Sequence, residues 1–380
     1  MLKPAVSSAT LRVTLPDHAV VLQNVVKSYD GTTQVVKGVD LAVHAGEFLT
    51  ILGPSGSGKT SLLMMLAGFE QPSAGAIIIG GRDVSRQPAH QRNIGMVFQQ
   101  YALFPHLTVA QNLAFPLEMR RLGRREINDR VGWALNLVKL DGLGARRPAQ
   151  LSGGQQQRIA VARALIFEPQ LVLMDEPLGA LDKQLRQQMQ DEIARLHHEL
   201  RPTIIYVTHD QGEAISLSDR VAVFEGGKIS QIDPPTELYN APRNDFVAGF
   251  IGENNRIPAR VISHGPPTRL AVSERAIVSA INIDIGPTET DACLMVRPER
   301  LRRIAERTAL PNAIDAVVIE ISYHGDSYRL RAGLGTGVEV ISRIPNDGTQ
   351  SIPDIGETIL LGWSTEDARA FAGGVTSTTR

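Results

Sequence analysis

Residues 53–60 of this chain read GPSGSGKT, directly after an apolar run, FLTIL (48–52), and at the head of a helical pattern, TSLLMMLAGF (60–69). Every fixed position of G-x-x-x-x-G-K-[ST] is filled, and strand and helix flank the loop as a phosphate-binding loop requires. Across Gly53, Pro54, Ser55, Gly56, Ser57 and Gly58 the glycines let the backbone wrap close to a polyphosphate, with successive N–H groups turned inward. The helix that follows directs its positive end at the anion. Lys59 is placed to reach the β- and γ-phosphates, and the Thr60 hydroxyl to hold Mg²⁺. A glycine-rich turn with an incidental lysine would not need this setting.

Composition bounds the rest. At 380 residues the chain is too long for one ordinary core, so two or three domains are expected. Hydrophobic residues at 43% and charged residues at 21% describe a soluble globular protein. Lys plus Arg number 39 against 40 Asp plus Glu, so the whole chain offers no field for gripping nucleic acid or an anionic membrane. The single cysteine, Cys293, excludes a disulfide framework and reads as a small buried apolar side chain in a reducing compartment. No stretch approaches the roughly 18–20 apolar residues of a membrane span, so any transport role needs separate membrane subunits. Residues 1–17 carry no secretion signal and read as a loose tail.

Along the chain, AVVLQNVVKSYDG and VVKGVDLAVHAGEFLTIL supply strands for a small antiparallel layer beside the loop. Tyr29, at the turn between them, either packs at an edge or stacks on a base. Gly68 ends the loop helix, and SAGAIIIGGRDVS reads as a hairpin. NIGMVFQQ is a strand with Gln99 at its C-terminal end, either a solvated turn residue or a ligand for Mg²⁺ and water. Residues 106 to about 168 turn helical, and the cluster Arg120, Arg121, Arg124 and Arg125 is a solvated face or a docking surface.

LSGGQQQR (151–158) opens a helix with a capping box between Ser152 and Gln155. Gly153 and Gly154 in its first turn cost helix stability, so bare backbone is needed there, either for the cap or for an anion. With phosphates already assigned to Lys59 and Thr60, a second anion site suggests two chains facing each other across the nucleotide. LVLMDEP (171–177) is an unbroken apolar strand ending in two carboxylates. Asp175 is placed to hold Mg²⁺ and Glu176 to accept the attacking water's proton. The helix DKQLRQQMQDEIARLHHEL puts Leu185, Met189, Ile193, Leu196 and Leu200 on one core face, with His197 and His198 expected in solvent. TIIYVTHD is the next buried strand, with His209 at its end. RVAVFEGGKISQI reads as a hairpin around Gly226 and Gly227. From about Asn254, short alternating runs (IPARVIS, AIVSAINI, AIDAVVIEIS, ETILLGWS) predict a small β-rich domain, with RPERLRRIAE as a helical break.

Together, GPSGSGKT, the VFQQ glutamine, LSGGQQQR, LVLMDEP with GALD, and the VTHD histidine resemble, in order and spacing, the ATP-binding subunit of an ABC transporter, over roughly residues 19–250. The resemblance implies that Tyr29 stacks on adenine, Gln99 is the Q-loop glutamine, and Ser152 to Gln155 form the signature reaching a partner's nucleotide. It also makes Glu176 the catalytic base, Asp182 part of the D-loop and His209 the switch histidine. Gly179 departs from the serine frequent at its place. VFQQYALFPHLTVAQNLAFPLEMR looks like the importer branch, and VRPERL with SYHGDSYRL resembles a regulatory TOBE domain.

The implied fold is an α/β P-loop cassette over 18–253, a mixed sheet with an antiparallel β subdomain and a helical subdomain at about 102–168. An all-β, OB-like domain follows over 254–380. The expected activity is ATP hydrolysis with Mg²⁺, powering solute uptake from the cytoplasmic face of a bacterial membrane. The expected partners are a second copy of the chain, head to tail, integral membrane permease subunits and, indirectly, a periplasmic or extracellular solute-binding protein, with no nucleic acid. GENNRIPARV leans toward polyamines; ferric iron, sulfate or molybdate, and sugars are the alternatives. A nucleic-acid-linked ABC ATPase would be expected to carry a second cassette, a coiled-coil insertion or a basic arm, and none is visible. A module that binds ATP without turnover is disfavoured by Glu176 and His209.

Overall fold

A computed structural model describes residues 18–274 and 276–373, so the reading of 1–17 as a tail lies outside the described residues. The chain divides by contact into a unit ending at Pro235 and a second beginning at Thr236, ahead of the change in sequence character near Asn254. In the first unit the elements run β1 (His18–Ser28), β2 (Gln34–His44), β3 (Phe48–Leu52), α1 (Lys59–Ala67), β4 (Ala74–Ile79), β5 (Arg82–Asp83) and β6 (Ile94–Val97). They continue with α2 (Val109–Met119), α3 (Arg124–Leu137), α4 (Gly153–Leu165), β7 (Leu171–Asp175), α5 (Lys183–Leu200), β8 (Ile204–Thr208), α6 (Gln211–Leu217), β9 (Arg220–Glu225) and β10 (Lys228–Asp233).

Two sheets form from these strands. One is antiparallel, in the order β2-β1-β4-β5. The other runs β10-β9-β3-β8-β7-β6 and is parallel except for the β9–β10 hairpin. Phe48–Leu52 therefore leaves the antiparallel layer expected of it: all five residues are buried, which fits a strand covered on both faces. β8 is buried along its whole length for the same reason. Between β6 and β7 lie α2, α3 and α4, whose apolar faces share one core with Val97, Val172 and Met174. Gly68 ends α1 in the left-handed conformation, its N–H given to Met64 and Met65 carbonyls.

Two expectations about α5 are corrected. Leu200 is exposed, because the helix has already turned its last residue outward before Arg201 ends it. His197 is buried: its Nε2 lies 3.0 Å from the Gly46 carbonyl and its ring meets Phe48 edge-on at 5.3 Å. His198, one position on, is exposed as expected.

α7 (Pro235–Asn240) starts at the last residue of the first unit; the second unit holds the rest of it and α8 (Asp245–Phe250), and its regular structure is otherwise mainly β. Its strands are β11 (Asn255–Ser263), β12 (Thr268–Ser273), β13 (Ala276–Asn282), β14 (Asp291–Val296), β15 (Arg302–Arg303), β16 (Asn312–Tyr323), β17 (Ser327–Gly333), β18 (Glu339–Pro345), β19 (Thr358–Trp363) and β20 (Ala368–Ala372). A closed five-stranded barrel, β11-β12-β13-β20-β14, is the OB-like part, and a second sheet runs β15-β19-β16-β17-β18. Leu294, Leu361 and Trp363 belong to the core that barrel and sheet share. Cys293 packs with Ala248, Met295 and Phe371, and burial pushes its thiol up to about 11.

RPERLRRIAE is not helical. Arg300 and Leu301 N–H groups both return to the Arg297 carbonyl, giving a single turn, and Arg302–Arg303 then pairs with β19. Two anchors prevent a helix from propagating. Leu301 is drawn into the core, and the buried Arg297 guanidinium donates to the carbonyls of Ile251, Glu253 and Tyr239 while lying 4.1 Å over the Tyr239 ring.

Burial holds the His197 pKa below its ordinary 6.5. Below that pH the unfolded chain takes up a proton that the buried ring resists, so stability falls as pH drops through 6.5 toward the depressed folded value, and nothing is lost above it. Thermal denaturation from about pH 7 to pH 5.5 should show a shallower pH slope for His197→Gln than for the wild type.

Candidate active site

Parallel pairing places the carboxyl ends of β3, β8, β7 and β6 along one sheet edge. β3 runs into the loop 53–58, β6 toward Gln99, β7 into Asp175 and Glu176, and β8 into His209, so residues remote in sequence arrive at a common place.

The loop's geometry depends on its glycines. A Cβ on Gly53 would lie 2.2 Å from the Phe224 carbonyl oxygen, and one on Gly58, at φ 104°, would lie 2.6 Å from that of Val35. Gly56 is also left-handed, at φ 75°, but faces open space. Lys59 is only 5% exposed and donates from Nζ to the Gly53 and Pro54 carbonyls, both at 2.8 Å. Those bonds use two of its three N–H groups. Burial lowers its pKa, opposed by the charges of Glu176 and Asp175. Ser57 Oγ is buried with no protein partner.

Opposite the loop, the Thr60 hydroxyl donates to Asp175 Oδ1 at 3.4 Å. Burial first, then the Glu176 charge, raises the Asp175 pKa, with Thr60 and Lys59 opposing. Glu176 stands at φ 42°, a left-handed backbone that costs a non-glycine residue on the order of 1–3 kcal/mol. Its N–H is given to the Val207 carbonyl on β8 at 2.9 Å, and its carbonyl accepts the Gly179 N–H at 3.1 Å. His209 Nδ1 lies 3.1 Å from Glu176 Oε1. Gln99 is exposed in a turn just past β6, and a Cβ on Gly179 would sit 3.5 Å from its Nε2 and 3.4 Å from the Glu176 carbonyl. Lys59, Thr60, Asp175, Glu176, His209 and Gln99 are thus drawn together.

Three candidate groups sit otherwise. Tyr29 is exposed, its hydroxyl donating to Ser61 at 3.2 Å and the Lys27 ammonium 4.7 Å from its ring centre. Ser152 and Gln155 form the capping box, with Ser152 Oγ accepting the Gln155 N–H at 3.3 Å and Gln155 Oε1 accepting the Ser152 N–H at 3.0 Å. The need for bare backbone there is partly internal: a Cβ on Gly154 would meet Leu185 at 2.6 Å, whereas Gly153 has room. Asp182 caps α5 by accepting the Leu185 N–H at 2.9 Å.

Sequence reading missed the group behind the site. Glu213, 2% exposed, accepts from the Tyr206 and Thr208 hydroxyls at 2.7 and 2.8 Å. Arg186 bonds Asp210 at 3.2 Å and donates to the Leu181 carbonyl at 3.1 Å, linking the segment before Asp182 to the one after His209. No local motif marks these residues; the buried Glu213 lies on the short helix after β8, where only three-dimensional packing reveals it.

A phosphate loop, two strand-end carboxylates, a strand-end histidine and a separate Ser-Gly-Gly helix start together define an ABC-type ATPase. The chain belongs to the ATP-binding proteins of ABC transporters. The ABC transporter family profile matches residues 36–179, and that of the TOBE domain residues 294–371. The chain is 45% identical over 354 residues to the spermidine/putrescine import ATP-binding protein PotA of Acidothermus cellulolyticus, covering 91% of each chain. It is 43% identical to the protein of that name in Pseudomonas aeruginosa, over 90% of this chain and 95% of the relative. Among solved structures, cbiO1 from Clostridium perfringens, part of the ABC transporter complex cbiONQ, matches with TM-score 0.55 and 29% identity, over 58% of this chain and 90% of the other. An ATP-binding cassette solved as a dimer in a post-hydrolysis state with ADP and Pi matches with TM-score 0.51 and 32% identity, over 57% and 98%.

Gly53→Ala should push the loop off β9, lowering both the thermal midpoint and ATP affinity. Within the fold itself, Gly56→Ala should cost stability only the left-handed penalty of roughly 1–2 kcal/mol. Denaturation curves and nucleotide titration of the two variants check the order.

Proposed function

We propose that the chain is the ATP-hydrolysing subunit of a bacterial polyamine importer, acting at the cytoplasmic face of the cell membrane. The observation that carries this is the convergence of Lys59, Thr60, Asp175, Glu176 and His209 on one sheet edge, in a chain 45% identical to a spermidine/putrescine import protein over 91% of its length. Among the described residues no helix is long and apolar enough to cross a membrane, which fits a subunit that works with separate permeases.

In this reading the loop 53–58 receives the phosphates on its N–H groups, and the free N–H of Lys59 meets the β- and γ-phosphates. The buried, unpartnered Ser57 hydroxyl suits the same anion. Thr60 and Asp175 offer the oxygen donors that a hard cation prefers, with Gln99 as a third, and Mg²⁺ bound there would offset the phosphate charge. Glu176 accepts the proton of the attacking water, and His209, bonded to its carboxylate, fixes its direction. Tyr29 presents an exposed ring for the base.

Two copies act head to tail, each lending Ser152, Gly153, Gly154 and Gln155 to the other's γ-phosphate, with Asp182 at the seam. A similar cassette solved as a dimer with ADP and Pi supports the association of two copies. Closure on ATP and opening after hydrolysis pass to the permease subunits, to which a periplasmic or extracellular solute-binding protein delivers the solute.

Glu176→Gln should bind ATP normally yet turn over at least ~100-fold more slowly. Near-normal phosphate release by that variant removes Glu176 from its role. Deleting the gene should abolish uptake of radiolabelled spermidine or putrescine, with recovery on return of the wild-type chain and none with Glu176→Gln. Intact polyamine uptake in the deletion strain would assign the transporter to another solute.

A further inference from the structure

Just past Gln99, two consecutive non-glycine residues, Tyr101 and Ala102, hold φ angles of 61° and 49°. L-residues rarely adopt this geometry, and two in succession need something outside the segment to hold them. The winding is tight. The Tyr101 N–H donates to the Phe98 carbonyl at 3.0 Å, closing a turn with Gln99 and Gln100 at its centre. The Ala102 N–H donates to the Gln100 carbonyl at 2.6 Å across Tyr101. Such a bond around a residue at positive φ is the rare, strained form of the γ-turn. The direction of Gln99 is therefore set by a turn that would relax if released.

The hold comes from Arg163, in the last turn of α4. Its Nη2 donates to both strained residues, at 3.2 Å to the Tyr101 carbonyl and 2.9 Å to that of Ala102. Nη1 donates to Asn112 Oδ1 at 3.4 Å, and the guanidinium lies 5.5 Å from the Phe104 ring centre. Asn112, fully buried, fixes the far side of the same segment by accepting the Phe104 N–H at 2.9 Å and donating to the carbonyls of Phe104 and Thr108. A planar fork can serve two carbonyls and a side-chain oxygen at once; an ammonium cannot match that geometry. α4 is also the helix whose first turn is Ser152 to Gln155.

We infer that Arg163 is a positioning residue that keeps Tyr101 and Ala102 left-handed, aims Gln99 at the nucleotide, and ties that aim to the helix beginning at Ser152. The inference rests on the proposed role of Gln99 in ATP hydrolysis.

The test compares Gln99→Ala, Arg163→Lys and Arg163→Lys/Ala102→Gly in the full-length chain, reading kcat and KM for ATP and the thermal midpoint. Arg163→Lys should lower kcat about 10- to 100-fold, the scale of a small misplacement, with KM within about twofold. Adding Ala102→Gly should recover most of the loss, because glycine holds a positive φ unaided. Arg163→Gln is the second variant, read the same way if the lysine form does not fold. A wild-type kcat in the Arg163 variants, or a loss that Ala102→Gly leaves unrepaired, overturns the inference. If Gln99→Ala itself turns over normally, the reading of the site fails at Gln99 and the inference falls with it; if only the Arg163 prediction fails, the site stands.

Discussion

The hydrogen bond from the Glu176 N–H to the Val207 carbonyl is the constraint on which the site depends. It carries the β7–β8 pairing one residue beyond the strand, into a position where the backbone has already turned left-handed. Glu176 is thereby fixed next to His209, which leaves β8 at the same level. The strain is tolerated because buried neighbouring strands leave the segment no relaxed alternative. Behind it, Glu213, Tyr206, Thr208, Asp210 and Arg186 form a polar layer that makes the base of the histidine segment and the start of α5 parts of one body.

Most of the cassette was legible because its chemistry is written in short stretches. GPSGSGKT contains the loop and the start of α1, LVLMDEP contains both its strand and the carboxylates at its end, and LSGGQ contains its own cap. Legibility failed where long-range packing decides. His197 belongs to a polar-looking pair, yet the Gly46 carbonyl and the Phe48 ring draw it inside. FLTIL was grouped with the wrong sheet because apolar runs do not declare their partners. RPERLRRIAE has the composition of a helix, but Arg297 binds three carbonyls of its own unit and Leu301 is claimed by the core. The contacts of Arg186 with the Asp210 carboxylate and of Arg163 with the Tyr101 carbonyl carry no local pattern, since each side chain reaches a segment distant in sequence.

The second unit solves a different problem. Its barrel closes the edges that an open sheet would expose, and its adjoining sheet shares the same apolar core. Ion pairs such as Arg329 and Arg343 with Glu253 are half-exposed and fix local geometry more than they stabilise the fold.

Cys293 has a practical corollary. It is the chain's sole sulfhydryl, and its high pKa and enclosed position leave scarcely any thiolate at neutral pH to meet an alkylating reagent or peroxide. The natural polypeptide is accordingly a silent background for spectroscopic probes, so a cysteine introduced on the surface would take up a maleimide dye or spin label without prior removal of the native one.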